Sequence, residues 1–183
     1  MREQPTITTE RLVLRPFTPD DAEPLERLGN DPEVLSKTSR GDVPVPGTGE
    51  FWIENRLDWW EKNEALDLAV TLQDTGEFIG IIGLGMEYPG NDAMQLGFWI
   101  GREFWNNGYA TEAALAVLPF GFDNLSLHRI FARHFTSNPA AGRVLEKIGM
   151  YQEGVQREAI KKNGIYESVA CWAILKSDYF KTD

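Results

Sequence analysis

The segment from Phe104 to Ala113, Phe-Trp-Asn-Asn-Gly-Tyr-Ala-Thr-Glu-Ala, joins a predicted strand to a predicted helix. Met94 to Ile100 is apolar and aromatic, as expected of a buried strand, whereas Thr111 to Leu118 is rich in alanine and leucine, as expected of a helix. The first N–H groups of such a helix lack intrahelical partners and carry the positive end of its dipole. Gly108 allows the backbone to approach an anion closely. The segment therefore predicts a loop that binds phosphate.

Two familiar nucleotide-binding motifs are absent from the sequence. It has no Gly-Lys-Ser or Gly-Lys-Thr ending of a P-loop, and it has no three-glycine dinucleotide fingerprint followed by an acidic residue. Taken alone, Gly108 could also serve only a tight turn between strand and helix. A second segment is needed to choose between a phosphate loop and a simple turn.

That second segment runs from Asn138 to Gly149 and has the boundaries of a short helix. Asn138 is a preferred N-cap residue, Pro139 fits the first helical position, and Gly149 stands where helices commonly end. His128 to Phe135, directly before it, is predicted as a strand with residues on two faces. The chain thus orders a strand, an anion loop, a helix, a strand and a short capped helix.

This order of elements resembles the central unit of the GNAT superfamily of acyl-CoA N-acyltransferases. The phosphate loop of that family reads Gln or Arg, two free positions, Gly, one free position, then Gly or Ala. Trp105 to Ala110 supplies the glycine and the alanine, and a tryptophan replaces the first polar residue. That tryptophan, together with Thr9 to Pro16 and Val144 to Gly149, resembles the ribosomal-protein branch of the RimJ/RimL type.

The resemblance extends over nearly the whole sequence and implies a single acyltransferase domain over residues 1–183. The implied fold class is α/β (α+β): a central mixed, mostly antiparallel, twisted sheet of about seven strands, flanked by about four helices and splayed at its middle strands. A chain of 183 residues with 42% hydrophobic content can bury the core of one such domain.

Local signals predict several further elements. Phe51 to Trp60 is expected to be helical, and hairpins are expected at Asp74-Thr75-Gly76 and at Asn163-Gly164. Proline is unfavourable inside a helix, so Pro119 predicts that the helix after the phosphate loop ends or kinks near Leu118.

Composition narrows the class of protein. The net charge of −10 argues against general nucleic-acid binding, which needs a basic surface. No targeting segment and no stretch apolar enough to span a bilayer is evident, so a cytoplasmic protein without a membrane partner is expected. Two histidines and one cysteine offer no metal-ligand spacing, and we expect no metal. The single cysteine, Cys171, lies in a late apolar strand and is expected to be buried.

The resemblance implies acetyl-CoA as the cofactor and CoA as the product. The strand before the phosphate loop would pair with the pantetheine arm through its backbone, and one of its N–H groups would face the thioester oxygen. The loop amides and an arginine on the capped helix would bind the diphosphate, and the cap asparagine would also reach the cofactor. The implied binding residues are Phe98, Trp99, Ile100, Trp105, Asn106, Asn107, Gly108, Tyr109, Ala110, Thr111, Asn138 and Arg143.

The residues that serve as base and acid in many relatives are missing here. Gln95 stands at the position of the usual glutamate and cannot accept a proton at neutral pH, and Leu145 stands at the position of the usual tyrosine. Ser137 could protonate the departing sulfur or bind the cofactor, and His134 could relay a proton. Each also has a structural explanation, the serine as a turn residue and the histidine as a packed strand residue.

The implied activity is transfer of acetyl from acetyl-CoA directly to a primary amine in a ternary complex, by a monomer or homodimer. A protein N-terminal α-amine is the acceptor that the branch favours, and a small polyamine or aminoglycoside-like amine is the alternative. The missing glutamate and tyrosine motivate a third hypothesis, a non-catalytic CoA-binding or acyl-CoA-sensing protein. Loops at Lys37 to Gly49 and at Glu87 to Asn91 are expected to contact the acceptor.

Overall fold

The computed structural model describes residues 3–38, 43–86 and 90–181. Across these ranges, eight strands form one mixed sheet, accompanied by six α-helices. The strands are β1 (Ile7–Thr8), β2 (Leu12–Arg15), β3 (Ala65–Leu72), β4 (Phe78–Met86), β5 (Ala93–Ile100), β6 (Arg129–Phe135), β7 (Tyr151–Lys162) and β8 (Ile165–Leu175). The helices are α1 (Ala22–Gly29), α2 (Pro32–Lys37), α3 (Gly49–Glu61), α4 (Tyr109–Pro119), α5 (Pro139–Lys147) and α6 (Lys176–Tyr179). Parts of both expected acceptor loops, residues 39–42 and 87–89, lie outside the described residues.

The sheet has the strand order β1-β2-β3-β4-β5-β6-β8-β7. Neighbouring strands are antiparallel except β5 and β6, which run parallel and pair only where Ala93–Gln95 meets Arg129–Phe131. Beyond this point β5 continues beside β4 alone, and β6 continues beside β8. We call these three residue pairs the seam. The predicted mixed sheet, splayed at its middle strands, is therefore confirmed.

Each face of the sheet buries an apolar layer, because alternate residues of a strand point to opposite faces. Leu68 of β3 belongs to a buried cluster with Val117 of α4 and Leu145 of α5. Its neighbour Ala69 belongs to a second cluster with Ile53 of α3. Helices α4 and α5 thus cover one face, and the N-terminal helices cover the other. Full burial of one such aliphatic side chain contributes about 1.5–3 kcal/mol.

The structure has more elements than the expected number because three of them are short. β1 has two residues, α2 has six and α6 has four. The signal for α2 is local: the Asp31 side chain accepts a hydrogen bond from the Glu33 N–H at 2.7 Å, and Pro32 fills the first helical position. An aspartate followed by proline is a common helix start.

The predicted break near Leu118 is confirmed. α4 ends at Pro119, and the chain then continues as one π-helical turn over Phe120–Asn124. Proline has no N–H to donate to the preceding turn, and a π-turn is a recognised way for a helix to absorb that loss. Both predicted hairpins are also present; Asn163 and Gly164 have φ angles of 50° and 85°, as a type I′ turn requires.

A buried ion pair joins the end of β2 to the start of the helical region. Asp21 is 3% exposed, and its two carboxylate oxygens accept hydrogen bonds from the two terminal nitrogens of Arg15 at 2.7 and 2.8 Å. The Thr18 N–H also donates to Asp21, at 2.7 Å. Burial by itself raises the pKa of Asp21, but the hydrogen bonds from Arg15 and Thr18 outweigh it, so the pKa is lowered.

The β7–β8 hairpin reaches across to α2. Lys162, at the end of β7, donates hydrogen bonds from Nζ to the carbonyls of Leu35 at 2.6 Å and Thr38 at 2.5 Å. Its ammonium also lies 4.9 Å from the centre of the Phe135 ring. These contacts form a bridge between the two halves of the sheet, which we call the lysine bridge.

None of the described helices combines the length and the apolar character that crossing a membrane requires.

Candidate functional site

A cleft of about 1010 Å³ opens where β5 and β6 diverge. It is lined by residues from both halves of the sheet, from α2 and α3 on one side and from α4 and α5 on the other. All but one of the predicted cofactor-binding residues line it: Phe98, Trp99, Ile100, Trp105, Asn106, Gly108, Tyr109, Ala110, Thr111, Asn138 and Arg143. The exception is Asn107, which is absent from the lining.

The predicted phosphate loop has the geometry of an anion site. Gly108 is the N-cap residue of α4, with a φ of +82°, and Asn106 also has a positive φ, 64°. No side chain caps the helix, so the N–H groups of its first turn face the cleft without a capping group. A backbone of this shape places several donors and the positive helix end around one point. Helix N-termini of this shape commonly bind anions.

Two neutral side chains of the loop, those of Trp105 and Asn107, form hydrogen bonds that fix the shape of its backbone. The Trp105 indole donates from Nε1 to the Ile100 carbonyl at 2.6 Å, which ties the loop to the end of β5. The Asn107 amide donates to the carbonyls of Phe104 and Trp105, both at 3.1 Å. The tryptophan that departs from the family pattern therefore has a structural contact of its own.

The β1–β2 hairpin contacts the phosphate loop and the start of α4 through residues that do not line the cleft. Arg11 forms an ion pair with Glu112 of α4 at 2.6 Å and donates to the Asn107 carbonyl at 3.0 Å. Thr9 donates to the same carboxylate at 2.6 Å. Burial alone raises the pKa of Glu112, but the hydrogen bonds from Thr9 and Arg11 prevail and lower it. Sequence reasoning missed Arg11 because its partners lie about a hundred residues away.

The C-terminal half of β5 has an open backbone edge on the side of β6. The strand pairs with β4 as far as Ile100, whereas its pairing with β6 ends at Gln95. The side chains of Trp99 and Ile100 are both nearly buried and belong to the clusters on opposite faces. The backbone on the β6 side is thus available to an extended ligand, while the side chains pack in the core.

Helix α5 forms the opposite wall. Asn138 stands at its N-cap position as predicted, but its side chain makes no capping hydrogen bond and lines the cleft instead. Arg143 is exposed at the cleft surface. Leu145 is 1% exposed and belongs to the core, where it has no chemistry to offer.

Both ring nitrogens of His134 have protein partners, although the residue lines the cleft. Nε2 accepts a hydrogen bond from the Trp172 indole at 3.0 Å, and Nδ1 lies 2.8 Å from the Phe135 carbonyl. The two contacts together require a neutral ring that carries its proton on Nδ1. Gly142 allows α5 to pack this closely, because an added Cβ would lie 3.0 Å from Nε2.

Ser137 and Cys171 lie apart from the cleft lining. The Ser137 hydroxyl is exposed and donates to Glu167 at 3.1 Å. Cys171 is half-buried within β8, so it is less buried than expected for a small apolar residue of a late strand. Its cross-strand partners on the same face of the sheet, Arg133 of β6 and Gly154 of β7, are both exposed, so little covers the cysteine from either side.

The α3 side of the cleft contains charged residues that sequence reasoning did not find. Asp67 of β3 forms an ion pair with Arg56 of α3 at 3.4 Å, and both side chains are about 15% exposed. The Arg56 guanidinium lies 4.3 Å from the ring centres of both Trp52 and Trp59. These three α3 residues are spaced by four and three positions, so they share one helix face. The only local sign of the site was a single carboxylate in an otherwise apolar strand.

Among residues 3–38, 43–86 and 90–181, no group of three or more histidine, cysteine, aspartate or glutamate side chains converges on a point. The donors that do converge are backbone N–H groups beside an open strand edge and a large cleft. Such a site suits a ligand that joins a diphosphate to an extended polar arm. The fold and the site together define an acyl-CoA-dependent transferase.

Residues 11–151 match the family model described as the acetyltransferase (GNAT) domain. The chain therefore belongs to the GNAT acetyltransferase family and is an N-acetyltransferase. The uncharacterized N-acetyltransferases YoaA and YnaD of Bacillus subtilis are 30% and 32% identical to it. Each alignment covers 94% of this chain, and they cover 97% and 98% of the relatives. These matches favour an enzyme over a non-catalytic CoA-binding protein.

Other similar proteins agree with this assignment. A crystal structure of a GNAT acetyltransferase from Bacillus anthracis is 28% identical, with a TM-score of 0.82 over 94% of this chain and 99% of that one. YdaF of Bacillus subtilis, provisionally named a ribosomal N-acetyltransferase, is 26% identical over 93% of this chain and 94% of its own. Spermidine N-acetyltransferase from Vibrio cholerae shares the fold, with 24% identity and a TM-score of 0.80 over 94% of this chain and 99% of that one.

Proposed function

We propose that this N-acetyltransferase transfers acetyl from acetyl-CoA directly to the N-terminal α-amine of a protein. The observation that carries direct transfer is the continuity of the cleft, in which the phosphate loop and the charged α3 side line one cavity. Two substrates bound together in such a cavity need no covalent enzyme intermediate. The choice of a protein N-terminus is supported by the similarity to YdaF.

We infer that the chain holds acetyl-CoA with groups from three elements. The first-turn N–H groups of α4, with Gly108, would bind the diphosphate, and Arg143 would add a positive charge. The open edge of β5 at Phe98 to Ile100 would pair with the extended arm. Asn138, whose side chain caps nothing, would donate or accept a further hydrogen bond. Bound acetyl-CoA supplies the acetyl group as a thioester.

The chain's contribution to the reaction is mainly positioning and polarisation. A backbone N–H at the open edge of β5 would donate to the thioester oxygen as negative charge develops there, as in other oxyanion sites. Holding the amine and the acetyl group together removes much of the entropic barrier. This proposal assigns no proton-transfer step to His134 or Ser137, because their polar atoms already contact Phe135, Trp172 and Glu167.

An acceptor screen tests the proposed substrate. We expect release of free CoA thiol above background with peptides that carry a free N-terminus, and mass spectrometry should place the added acetyl on the α-amine. The same peptides with a blocked N-terminus but a free lysine are the control and should release no thiol. Preference for spermidine or an aminoglycoside by kcat/KM would contradict the N-terminal assignment and favour a small-amine acceptor.

The single cysteine tests direct transfer. Cys171 lies outside the cleft lining, so acetyl-CoA alone should leave the intact mass of the protein unchanged. The Cys171→Ala variant should keep kcat within about twofold of the original. Loss of a nucleophile in covalent catalysis would lower kcat far more than this. Stoichiometric acetylation of Cys171, followed by transfer to an added amine, would replace direct transfer with a covalent scheme.

A further inference from the structure

Asp67 belongs to a row of three residues that crosses the sheet from β3 to β5. β3, β4 and β5 are in register so that Asp67 lies opposite Gly83, and Gly83 lies opposite Gly97. Cross-strand partners project from the same face of a sheet. This row lies in the lining of the cleft and ends at Gly97, on the part of β5 that follows Gln95 and has no pairing with β6.

The two glycines clear the space in front of the carboxylate. A Cβ added to Gly83 would lie 2.2 Å from Asp67 Oδ1, so the carboxylate leans over β4 into space that only glycine leaves empty. A Cβ added to Gly97 would have no atom within 4 Å. Since strands lie about 4.8 Å apart, a nitrogen standing over Gly97 is within reach of Oδ1, directly or through one water molecule.

Arg56 fixes the direction of this carboxylate. It contacts Asp67 through Oδ2, and its own guanidinium is held against Trp52 and Trp59. Gln95 stands one residue pair further along the same face, opposite Gly85. Its amide can form hydrogen bonds there but cannot take up a proton.

We propose that Asp67 contacts the acceptor amine over Gly97 and accepts the proton that the nitrogen must lose during transfer. The nitrogen lone pair of the neutral amine forms the N–C bond to the acetyl carbon, which makes the nitrogen strongly acidic. Its proton passes to the Asp67 carboxylate and then to water. The C–S bond breaks, and the sulfur leaves with the electron pair and takes a proton from water. This inference rests on the proposed direct transfer to an amine.

Other side chains in the lining of the same cleft can also change their protonation state with pH. The other charged and titratable side chains that line it are Lys37 of α2, Arg56 of α3, Glu64 before β3, Tyr109 of α4, Arg133 and His134 of β6, and Arg143 and Lys147 of α5. Of these groups, Arg56 forms an ion pair with Asp67 itself.

Asp67→Asn is the first test, because asparagine keeps the shape and can still accept a hydrogen bond from Arg56. With an alanine-initiated peptide and spermidine as acceptors, we expect kcat to fall about 10²-fold, as for other general bases. The KM for acetyl-CoA should not change. Glu153→Gln is the matched control, since Glu153 also pairs with an arginine but lies outside the cleft lining. It should keep kcat within about twofold, as expected for an exposed pair.

Rescue by formate separates a proton acceptor from a structural residue. Asp67→Ala removes the carboxylate and opens space beside Gly83, so added formate should raise its kcat about tenfold and leave the original enzyme unchanged. This variant also serves if the asparagine variant does not fold. A kcat within threefold of the original in both variants, or a loss without formate rescue, would overturn the role of Asp67.

The outcome separates this inference from the acceptor proposal. If the enzyme acetylates spermidine but no peptide, the N-terminal assignment fails, and the Asp67 variants are measured with spermidine. If peptides are acetylated and both variants remain fully active, the N-terminal assignment stands and the role of Asp67 fails. If the unaltered enzyme acetylates neither amine, both are overturned.

Discussion

Replacing Gly108 with valine is expected to abolish acetyl-CoA binding. Gly108 has a φ of +82°, a conformation that costs a residue with a Cβ about 1–2 kcal/mol, and an added Cβ would lie 3.5 Å from Nη2 of Arg11, so a branched side chain should shift the loop and the N–H groups that face the diphosphate. Each lost hydrogen bond to a charged group removes about 1.5–3 kcal/mol, so the Kd should rise at least about 100-fold. Isothermal titration calorimetry with acetyl-CoA measures it.

Thermal unfolding gives an independent readout. At a hundred times Kd, acetyl-CoA should stabilise the original protein by about 2.7 kcal/mol, which is about 5–10 °C in Tm for a domain of this size. The Gly108→Val variant should show no rise. Gly76→Val is the matched control: Gly76 has a φ of +73° in the β3–β4 hairpin, with no atom within 4 Å of an added Cβ. It should lose similar stability but keep the acetyl-CoA response, and unchanged affinity in folded Gly108→Val would refute the phosphate-loop assignment.

Removing the buried carboxylate of Asp21 should lower the free energy of unfolding more than any other substitution considered above or below. Asp21→Ala leaves the Arg15 guanidinium without its bidentate partner and removes the acceptor for the Thr18 N–H. Breaking a buried ion pair on one side typically costs about 3–5 kcal/mol. We expect a decrease of that size in the free energy of unfolding by urea at pH 7, with a fall in Tm of about 10 °C.

The pH dependence follows from the lowered pKa of Asp21. A group whose pKa is lower in the folded state adds stability above its unfolded value, about 3.9, and that stability disappears as pH falls through the folded value. The difference between Asp21→Ala and the original should therefore be constant near neutral pH and shrink in acid. Glu103→Ala is the control, because Glu103 and its partner Arg27 are both about half exposed. Its change should be below about 1 kcal/mol, and a comparable change would contradict the role assigned to burial.

Sequence patterns identified those parts of the fold and of the site that depend on residues close together in the sequence. The phosphate loop, the helix from Pro139 and the turn at Asn163-Gly164 each depend on residues within a few positions of one another. The contacts of His134 could not be inferred in this way, because its indole partner Trp172 is 38 residues distant. Asp67 was missed for a related reason, since its setting depends on the register of three strands. Such pairings are set by tertiary packing, which residue propensity does not encode.

The seam and the lysine bridge together restrict how the two halves of the sheet can move. The seam holds β5 to β6 by three residue pairs, and Lys162 holds the β7–β8 hairpin to α2 through two carbonyls. A rotation about the seam that widened the cleft would have to break the two lysine hydrogen bonds. Breaking them needs only a change in one side chain, whereas separating the two halves completely would expose the buried cluster that strands of both halves share.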